Sequence, residues 1–91
     1  DLAKALSNQK KHGVSFELAA TVFLDPLMLT IPDDGHSQTE ERWITLGQAE
    51  SSKLLLVVHT YVEINANLAN ARIISARKAT KHEQIQYETG L

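Results

Sequence analysis

The segment from Lys53 to Val62 constrains the fold of this chain more than any other. Its apolar residues run almost without interruption from Leu54 to Val58, which is typical of a central strand covered on both faces. Side chains alternate along a strand, so His59 shares a face with the apolar positions 55 and 57. A lone histidine among such neighbours is more often a hydrogen-bonded structural residue than a catalyst. The rest of the chain must therefore build a sheet around this strand.

Further strands are predicted on both sides of this segment. The alternating residues Arg42 to Gly47 predict one strand, and Leu27 to Ile31 predict a shorter one before it. Arg72 to Lys78 predicts the last strand, because its two isoleucines are β-branched. The asparagine-rich residues Asn65 to Asn70 are interpreted as a hairpin loop.

Helices are predicted at both ends of the chain. Leu2 to Lys11 has leucines at helical spacing and should end at Gly13. A second short helix should begin after Ser15, its N-cap, and end at Asp25-Pro26. Thr80-Lys81-His82-Glu83 has the pattern of a capping box, which begins a C-terminal helix.

These elements predict one α+β domain over residues 1–91, with a small antiparallel sheet of three to four strands and helices on one face. The chain has no cysteine, which excludes disulfide and thiol chemistry and suits a reducing cytosol. The longest apolar run is too short to cross a membrane and no signal peptide is visible, so we expect a cytoplasmic protein without membrane contact.

The charge and the motifs limit the classes of function. The net charge is −2, whereas a domain that binds nucleic acid non-specifically is expected to be strongly basic. Any nucleic-acid site must therefore be a local basic patch. The four histidines do not have zinc-ligand spacing, and no glycine-rich phosphate loop is present. We expect no metal and no cofactor.

A basic turn links the last predicted strand to the C-terminal helix. Arg72, Arg77 and Lys78 precede a helix N-terminus, which carries a positive partial charge. This junction is a plausible phosphate seat. The alternative is that the three residues are ordinary surface cations, and the local pattern alone favours that alternative.

Several separated stretches resemble the BrnT toxin family, and together they cover nearly the whole chain. They are Lys11 to Glu17, Asp25-Pro26, His36-Ser37 with Glu40, Arg42 and Gly47, Leu54 to Thr60, and Arg72 to Thr80 followed by Glu83 and Tyr87. The resemblance implies a RelE-like fold. It also implies the toxin of a type II toxin–antitoxin module: a metal-independent ribonuclease that inhibits translation and is neutralised by a cognate antitoxin.

Two departures from the family pattern matter. The family usually begins with a strand, but this chain begins at Asp1, so we expect that strand to be missing and a sheet edge to be open to self-association. The family often has an arginine soon after the threonine that ends the central strand, whereas Tyr61 follows Thr60 here. An alternative therefore stays open, a catalytically weakened homologue that acts as an antitoxin-binding co-repressor module.

The resemblance, set beside the chemistry of RNA cleavage, implies roles for nine residues. A base must deprotonate the 2′-hydroxyl, an acid must protonate the leaving oxygen, and cations must stabilise the phosphorane. Arg72 and Arg77 suit the last role, because guanidinium presents forked donors to phosphate. His36 suits the acid or the base, and Glu40 is the alternative base. The implied RNA-binding residues are Lys11, His12, Arg42, Lys78 and Lys81.

The resemblance also implies the partners. The substrate is RNA, and the protein partner is a cognate ribbon-helix-helix antitoxin similar to BrnA. An acidic segment of the antitoxin is expected to meet the basic junction, because charge pairing steers association. Operator DNA is expected to be contacted only indirectly, through the antitoxin.

Overall fold

A computed structural model describes residues 2–36, 41–65 and 68–90. For residues 36, 62–65 and 68–70 it describes the backbone but not the side chains. Over these ranges the helices are α1 (Leu2–His12), α2 (Phe16–Ala20) and α3 (Lys81–Thr89), with short 3₁₀ turns at Thr21–Leu24 and Asp34–His36. The strands are β1 (Leu29–Pro32), β2 (Arg42–Gln48), β3 (Leu54–Asn65) and β4 (Leu68–Lys78). They form one antiparallel sheet in the order β1-β2-β3-β4, which confirms the predicted α+β class. None of the described helices has the length and apolar character that a membrane span requires.

The predicted hairpin loop from Asn65 to Asn70 is wrong over most of its length. β3 continues to Asn65 and β4 begins at Leu68, so only two residues separate the strands. Leu68 pairs with Asn65, and Asn70 pairs with Val62. Asparagine favours loops, but strand propensity depends strongly on context, and pairing with a long neighbouring strand outweighs it here.

The core lies between the N-terminal segments and one face of the sheet, which we call the inner face (Thr45, Gly47, Leu55, Val57, His59 and Ala76). Leu55 and Val57 are completely buried there. Ala19 and Val22 pack against them from α2 and the following 3₁₀ turn. Gly47 permits this close approach, because a Cβ atom at that position would lie 3.0 Å from the Cβ atom of Val22.

His59 is buried in the inner face with both ring nitrogens hydrogen-bonded. Nδ1 lies 3.0 Å from the carbonyl oxygen of Thr60, so Nδ1 donates this hydrogen bond. Burial favours the neutral ring, in which Nε2 accepts from the hydroxyl of Thr45 at 2.6 Å; the hydroxyl of Thr45 is then left to accept from that of Thr30 at 2.9 Å. Phe23 packs edge-on against the ring at 4.8 Å. Burial lowers the pKa of His59, although the hydrogen bond to Thr60 acts in the opposite direction. His59 is therefore structural, as its place in the sequence indicated.

α1 packs on β4 through a polar side chain. Leu2 and Leu6, whose helical spacing predicted this helix, are 75% and 60% exposed. The buried amide of Asn8 donates to the carbonyl oxygens of Ala76 at 2.9 Å and Val14 at 3.0 Å. Its Oδ1 atom accepts from the backbone N–H of Ala76 at 3.0 Å. β4 is an edge strand, so the backbone groups of Ala76 have no neighbouring strand on this side. The amide of Asn8 forms the hydrogen bonds that such a strand would have formed.

The opposite face of the sheet, which we call the outer face (Ile44, Leu46, Leu56, Val58, Arg72 and Arg77), is only partly covered. α3 borders it, so the prediction that the helices share one face is wrong. The predicted capping box is present, since Thr80 and Glu83 each accept from the other's backbone N–H. No residue of α3 is buried, and Leu56 and Val58 on the outer face are half-buried, whereas Leu55, Val57 and His59 on the inner face are buried. The prediction that this strand is covered on both faces is therefore wrong for its outer face.

Candidate functional site

A β-bulge in β4 determines the face on which its arginines lie. Arg72 and Arg77 are five residues apart, and an odd separation puts side chains on opposite faces of a regular strand. Positions 73 and 75 pair with consecutive residues of β3, so Ile74 is an extra residue. The bulge reverses the alternation, which brings Arg72 onto the outer face together with Arg77.

The strand pairing and the packing agree with this reversal. Arg77 pairs with Leu56 and Arg72 pairs with Thr60, two β3 residues whose even separation places them on the same face. Ile73, which a regular strand would have turned outward, packs against the buried core instead. The sequence showed both arginines but not this shared orientation, because a bulge has no clear local signature.

Two arginines flank Thr60 at one end of the outer face. Arg42 of β2 and Arg72 of β4 both pair with Thr60 of β3. Two strand spacings put their Cα atoms about 10 Å apart. We call Arg42 and Arg72 the arginine pair. Guanidinium groups presented in this way suit the phosphate oxygens of a nucleic-acid backbone.

The connection between β1 and β2 lies at the same end of the sheet. It leaves β1 at Pro32, which pairs with Trp43, and enters β2 at Arg42. This connection contains His36 and Glu40. The backbone of His36 ends a 3₁₀ turn, whereas its side chain and the whole of Glu40 lie outside the described residues. The positions of the His36 side chain and of Glu40 therefore stay predictions of the sequence.

Arg77 is engaged within the protein. Its two terminal nitrogens donate to the two carboxylate oxygens of Glu83 at 2.8 and 2.9 Å, and Nη1 also donates to the carbonyl oxygen of Lys78 at 3.2 Å. The hydrogen bonds to Glu83 raise the pKa of Arg77, and the same bonds lower the pKa of Glu83. Arg77 thus attaches the first turn of α3 to the outer face.

The carboxylate of Glu83 occupies the position at the N-terminus of α3 where a phosphate was predicted to bind. The carboxylate of Glu83 accepts from the backbone N–H of Thr80 at 2.8 Å as well as from Arg77. The hydroxyl of Thr80 accepts from the backbone N–H of Glu83 at 3.2 Å. A phosphate here would have to displace a carboxylate from a capping box and from an arginine. A phosphate at this junction therefore competes with groups of the chain itself.

Lys78 and Lys81 lie on either side of this junction and are exposed. Lys78 ends β4 and lines an open groove of about 570 Å³ that also contains Lys53 and Tyr87. Lys81 is the first residue of α3. Both are accessible to phosphate groups, but they lie at the far end of β4 from Arg72.

Lys11 and His12 line a basic groove between α1 and the bulged part of β4. The groove has a volume of about 250 Å³, and Ser7 and Ser75 contribute hydroxyl groups to it. Lys4 is a further cation in its lining, and no acidic side chain of the described residues lines it. The structure therefore places these two predicted RNA-binding residues beside β4 but at its edge, separate from the arginine pair.

A carboxylate that anchors α3 was missed by the sequence-based reasoning. Asp25 Oδ2 accepts from the hydroxyl of Tyr87 at 2.5 Å and from the backbone N–H of Gln48 at 2.8 Å, and Oδ1 accepts from Leu27 N–H at 2.9 Å. Burial acts to raise the pKa of Asp25, but these hydrogen bonds outweigh it and lower the pKa. The bond to Asp25 raises the pKa of Tyr87 to about 12. The available signal was that both residues belong to the stretches that resemble the family.

The fold and this surface define a class: a small α+β domain that carries cations on one partly covered face of its sheet. Among the described residues, no three histidine, aspartate or glutamate side chains are grouped in a way that could hold a metal ion. The sequence profile of a family described as "Ribonuclease toxin, BrnT, of type II toxin-antitoxin system" matches residues 1–83. The chain belongs to this family, which confirms the resemblance and implies an antitoxin partner. A search of curated proteins finds no match.

Proposed function

We propose that this chain cleaves RNA at the arginine pair, by attack of a ribose 2′-hydroxyl on the adjacent phosphate and without a metal ion. The observation that carries the proposal is that Arg42 and Arg72 flank Thr60 on one open face in a member of a ribonuclease toxin family. Two guanidinium groups in this position bind the scissile phosphate and stabilise the negative charge of the phosphorane. Cleavage of messenger RNA in the cytoplasm then inhibits translation.

We assign the proton transfers to His36 and Glu40. Glu40 precedes Arg42 by two residues, so their Cα atoms are at most about 7 Å apart. The base takes the proton of the 2′-hydroxyl, the oxygen attacks phosphorus, and the 5′-oxygen leaves with a proton from the acid. The products are a 2′,3′-cyclic phosphate and a 5′-hydroxyl. A histidine serves either step because its reference pKa is about 6.5.

Other cations are assigned to flanking phosphates. Lys11 and His12 bind the backbone through the basic groove, and Lys78 and Lys81 bind it at the far end of β4. Arg77 retains a part in the site. It pairs with Leu56, four residues along β3 from Thr60, and a phosphate there has to compete with the carboxylate of Glu83. We therefore assign it a smaller contribution to cleavage at the arginine pair.

The experiment is cleavage of a defined RNA by the purified chain in the presence of EDTA. Removal of one preorganised donor typically lowers kcat by about 10²–10³-fold, so we expect that loss for Arg72→Ala. Lys10→Ala is the matched control, an exposed cation of α1 that does not line the basic groove. Wild-type cleavage by Arg72→Ala, loss of cleavage in EDTA, or products without a cyclic phosphate would each contradict the proposal.

Two observations favour the second candidate function. Arg77 is bound to Glu83, and Tyr61 follows Thr60 where the family often has an arginine. A chain with fewer cations available to RNA would act mainly as an antitoxin-binding co-repressor. Inducible expression of the chain alone distinguishes the two: growth arrest with shortened transcripts supports the ribonuclease, whereas unchanged growth with antitoxin-dependent operator binding supports the co-repressor.

We propose a BrnA-like ribbon-helix-helix protein from the neighbouring gene as the antitoxin. The family match supports the existence of an antitoxin, and the exposed cations of β4 and α3 support an acidic binding segment. Operator DNA is then contacted through the antitoxin. Mixing the two proteins should protect RNA from cleavage, and high salt should slow the association.

A further inference from the structure

The outer face contains an apolar cavity that the proposed chemistry does not use. It has a volume of about 190 Å³ and lies between the first three strands and α3. We call it the aliphatic cavity. Its lining consists of five aliphatic residues of the sheet and two polar residues of α3: Leu29, Ile31, Ile44, Leu46 and Leu56, with Glu83 and Gln86. The volume suits one large apolar side chain.

α3 leaves this cavity unfilled. No residue of the helix is buried, and its isoleucine, Ile85, is 52% exposed. The helix is held instead by polar contacts, from Arg77 to its first turn and from Asp25 to Tyr87. Ile31 is consequently 58% exposed beside the cavity. Exposed apolar surface with a polar rim is typical of a protein interaction site.

RNA does not suit the aliphatic cavity. Bases that leave a helical stack are held by aromatic rings or by guanidinium planes. The described residues that line the cavity include neither an aromatic ring nor a cation. An apolar side chain from a protein is the ligand that such a lining recognises.

The distance from the cavity to the arginine pair indicates how long a segment that binds both must be. Leu56 of the cavity and Thr60 between the two arginines are four residues apart on β3, which is about 13 Å. A segment that contacts both places needs an apolar anchor and an acidic group about 13 Å away. In an α-helix this distance corresponds to about nine residues.

We propose that the cognate antitoxin docks on the outer face through an amphipathic helix, with an apolar anchor in the aliphatic cavity and an acidic residue at the arginine pair. The two cations Arg42 and Arg72, which an acidic group would complement, and the toxin–antitoxin family of the chain point to this occupant. A helix bound in this way covers the arginine pair and excludes the phosphate. That last step rests on the proposed function.

The test is the affinity of the chain for the purified product of the neighbouring gene, measured by titration calorimetry without RNA. A buried anchor position typically dominates an interface, so Ile31→Glu should weaken binding at least about tenfold. Leu24→Glu is the matched control, because Leu24 is 83% exposed and does not line the cavity. It should bind within about twofold of the wild type. If Ile31→Glu does not fold, Ile31→Ala is measured in its place, and its affinity should be at least about threefold lower than that of the wild type.

The proposal is overturned if the wild type does not bind this protein, or if the Ile31 variants and Leu24→Glu bind alike. Cleavage by Ile31→Glu alone should stay at the wild-type rate but escape inhibition, and continued inhibition would also overturn the proposal. Failure of the proposed function gives a different result: Ile31-dependent binding by a chain that cleaves no RNA.

Discussion

Leu55 and Leu56 are neighbours on β3, yet the first is completely buried in the inner face and the second is half-buried in the outer face. The inner face is packed against the N-terminal segments, and its buried histidine has hydrogen bonds at both nitrogens. The outer face carries arginines and an unfilled apolar cavity. One face is therefore organised for stability, and the other is the one that we propose for binding, although the same strands form both.

The strongest test of this comparison replaces each of the two leucines by alanine. Leu55→Ala should lower the free energy of unfolding by about 3–4 kcal/mol, because it removes buried atoms and leaves a cavity. Leu56→Ala should lower it by about 1 kcal/mol, because its side chain is still partly hydrated in the folded state. Urea unfolding followed by circular dichroism measures both values. Equal losses would show that the faces are packed alike.

The amide of Asn8 provides the next test. Asn8→Ala leaves the buried N–H and C=O groups of Ala76 unsatisfied, which should destabilise the protein by about 2–3 kcal/mol. Gln9→Ala, at an exposed position of the same helix, should change the stability by no more than about 0.5 kcal/mol. Self-association through a sheet edge stays a prediction of the sequence, and opening β4 should increase it. Light scattering of Asn8→Ala that matches the wild type would show that Asn8 does not protect this edge.

Acid should weaken the inner face through His59. Its pKa is lowered in the folded protein, so between that value and the unfolded value of about 6.5 the unfolded chain binds more protons. The stability contribution is complete above pH 6.5 and is lost as the pH falls through the folded pKa, by up to about 1.4 kcal/mol per pH unit. Urea unfolding from pH 8 to pH 5 measures the slope. His59→Gln should remove most of it, and an unchanged slope would assign it to other groups.

The smallest effect on stability is expected at Arg77. Its side chain is 39% exposed, so solvent screens the ion pair with Glu83, and Arg77→Ala should lower the stability by about 1 kcal/mol or less. It should also reduce RNA cleavage less than Arg72→Ala does. The sequence assigned Arg77 to the cations that stabilise the phosphorane, which implies that Arg77→Ala impairs cleavage much more than stability. A larger loss of cleavage than in Arg72→Ala would restore that interpretation and move the site towards α3.

Local chemistry was sufficient to predict several elements of this chain. The Ser15 N-cap, the left-handed Gly13 and the capping box of Thr80 and Glu83 depend on interactions within a few residues, so the sequence contains all of their determinants. The apolar pattern of β3 similarly indicated a central strand, and the order of the elements indicated an α+β domain. Family resemblance supplied the toxin class, which the profile match confirms.

The tertiary structure alone decided how these elements meet. The bulge at Ile74 turns Arg72 to the outer face, and Asn8 reaches a strand 68 residues away; neither follows from the neighbouring sequence. Glu83 was predicted to cap a helix. Its pairing with Arg77 depends in addition on the face of β4 on which that arginine lies. The register of a strand, the face on which a side chain lies and the partner that it binds all depend on groups that are distant in the chain. Helix caps and turns depend only on the adjacent backbone, so the local sequence is enough to predict them.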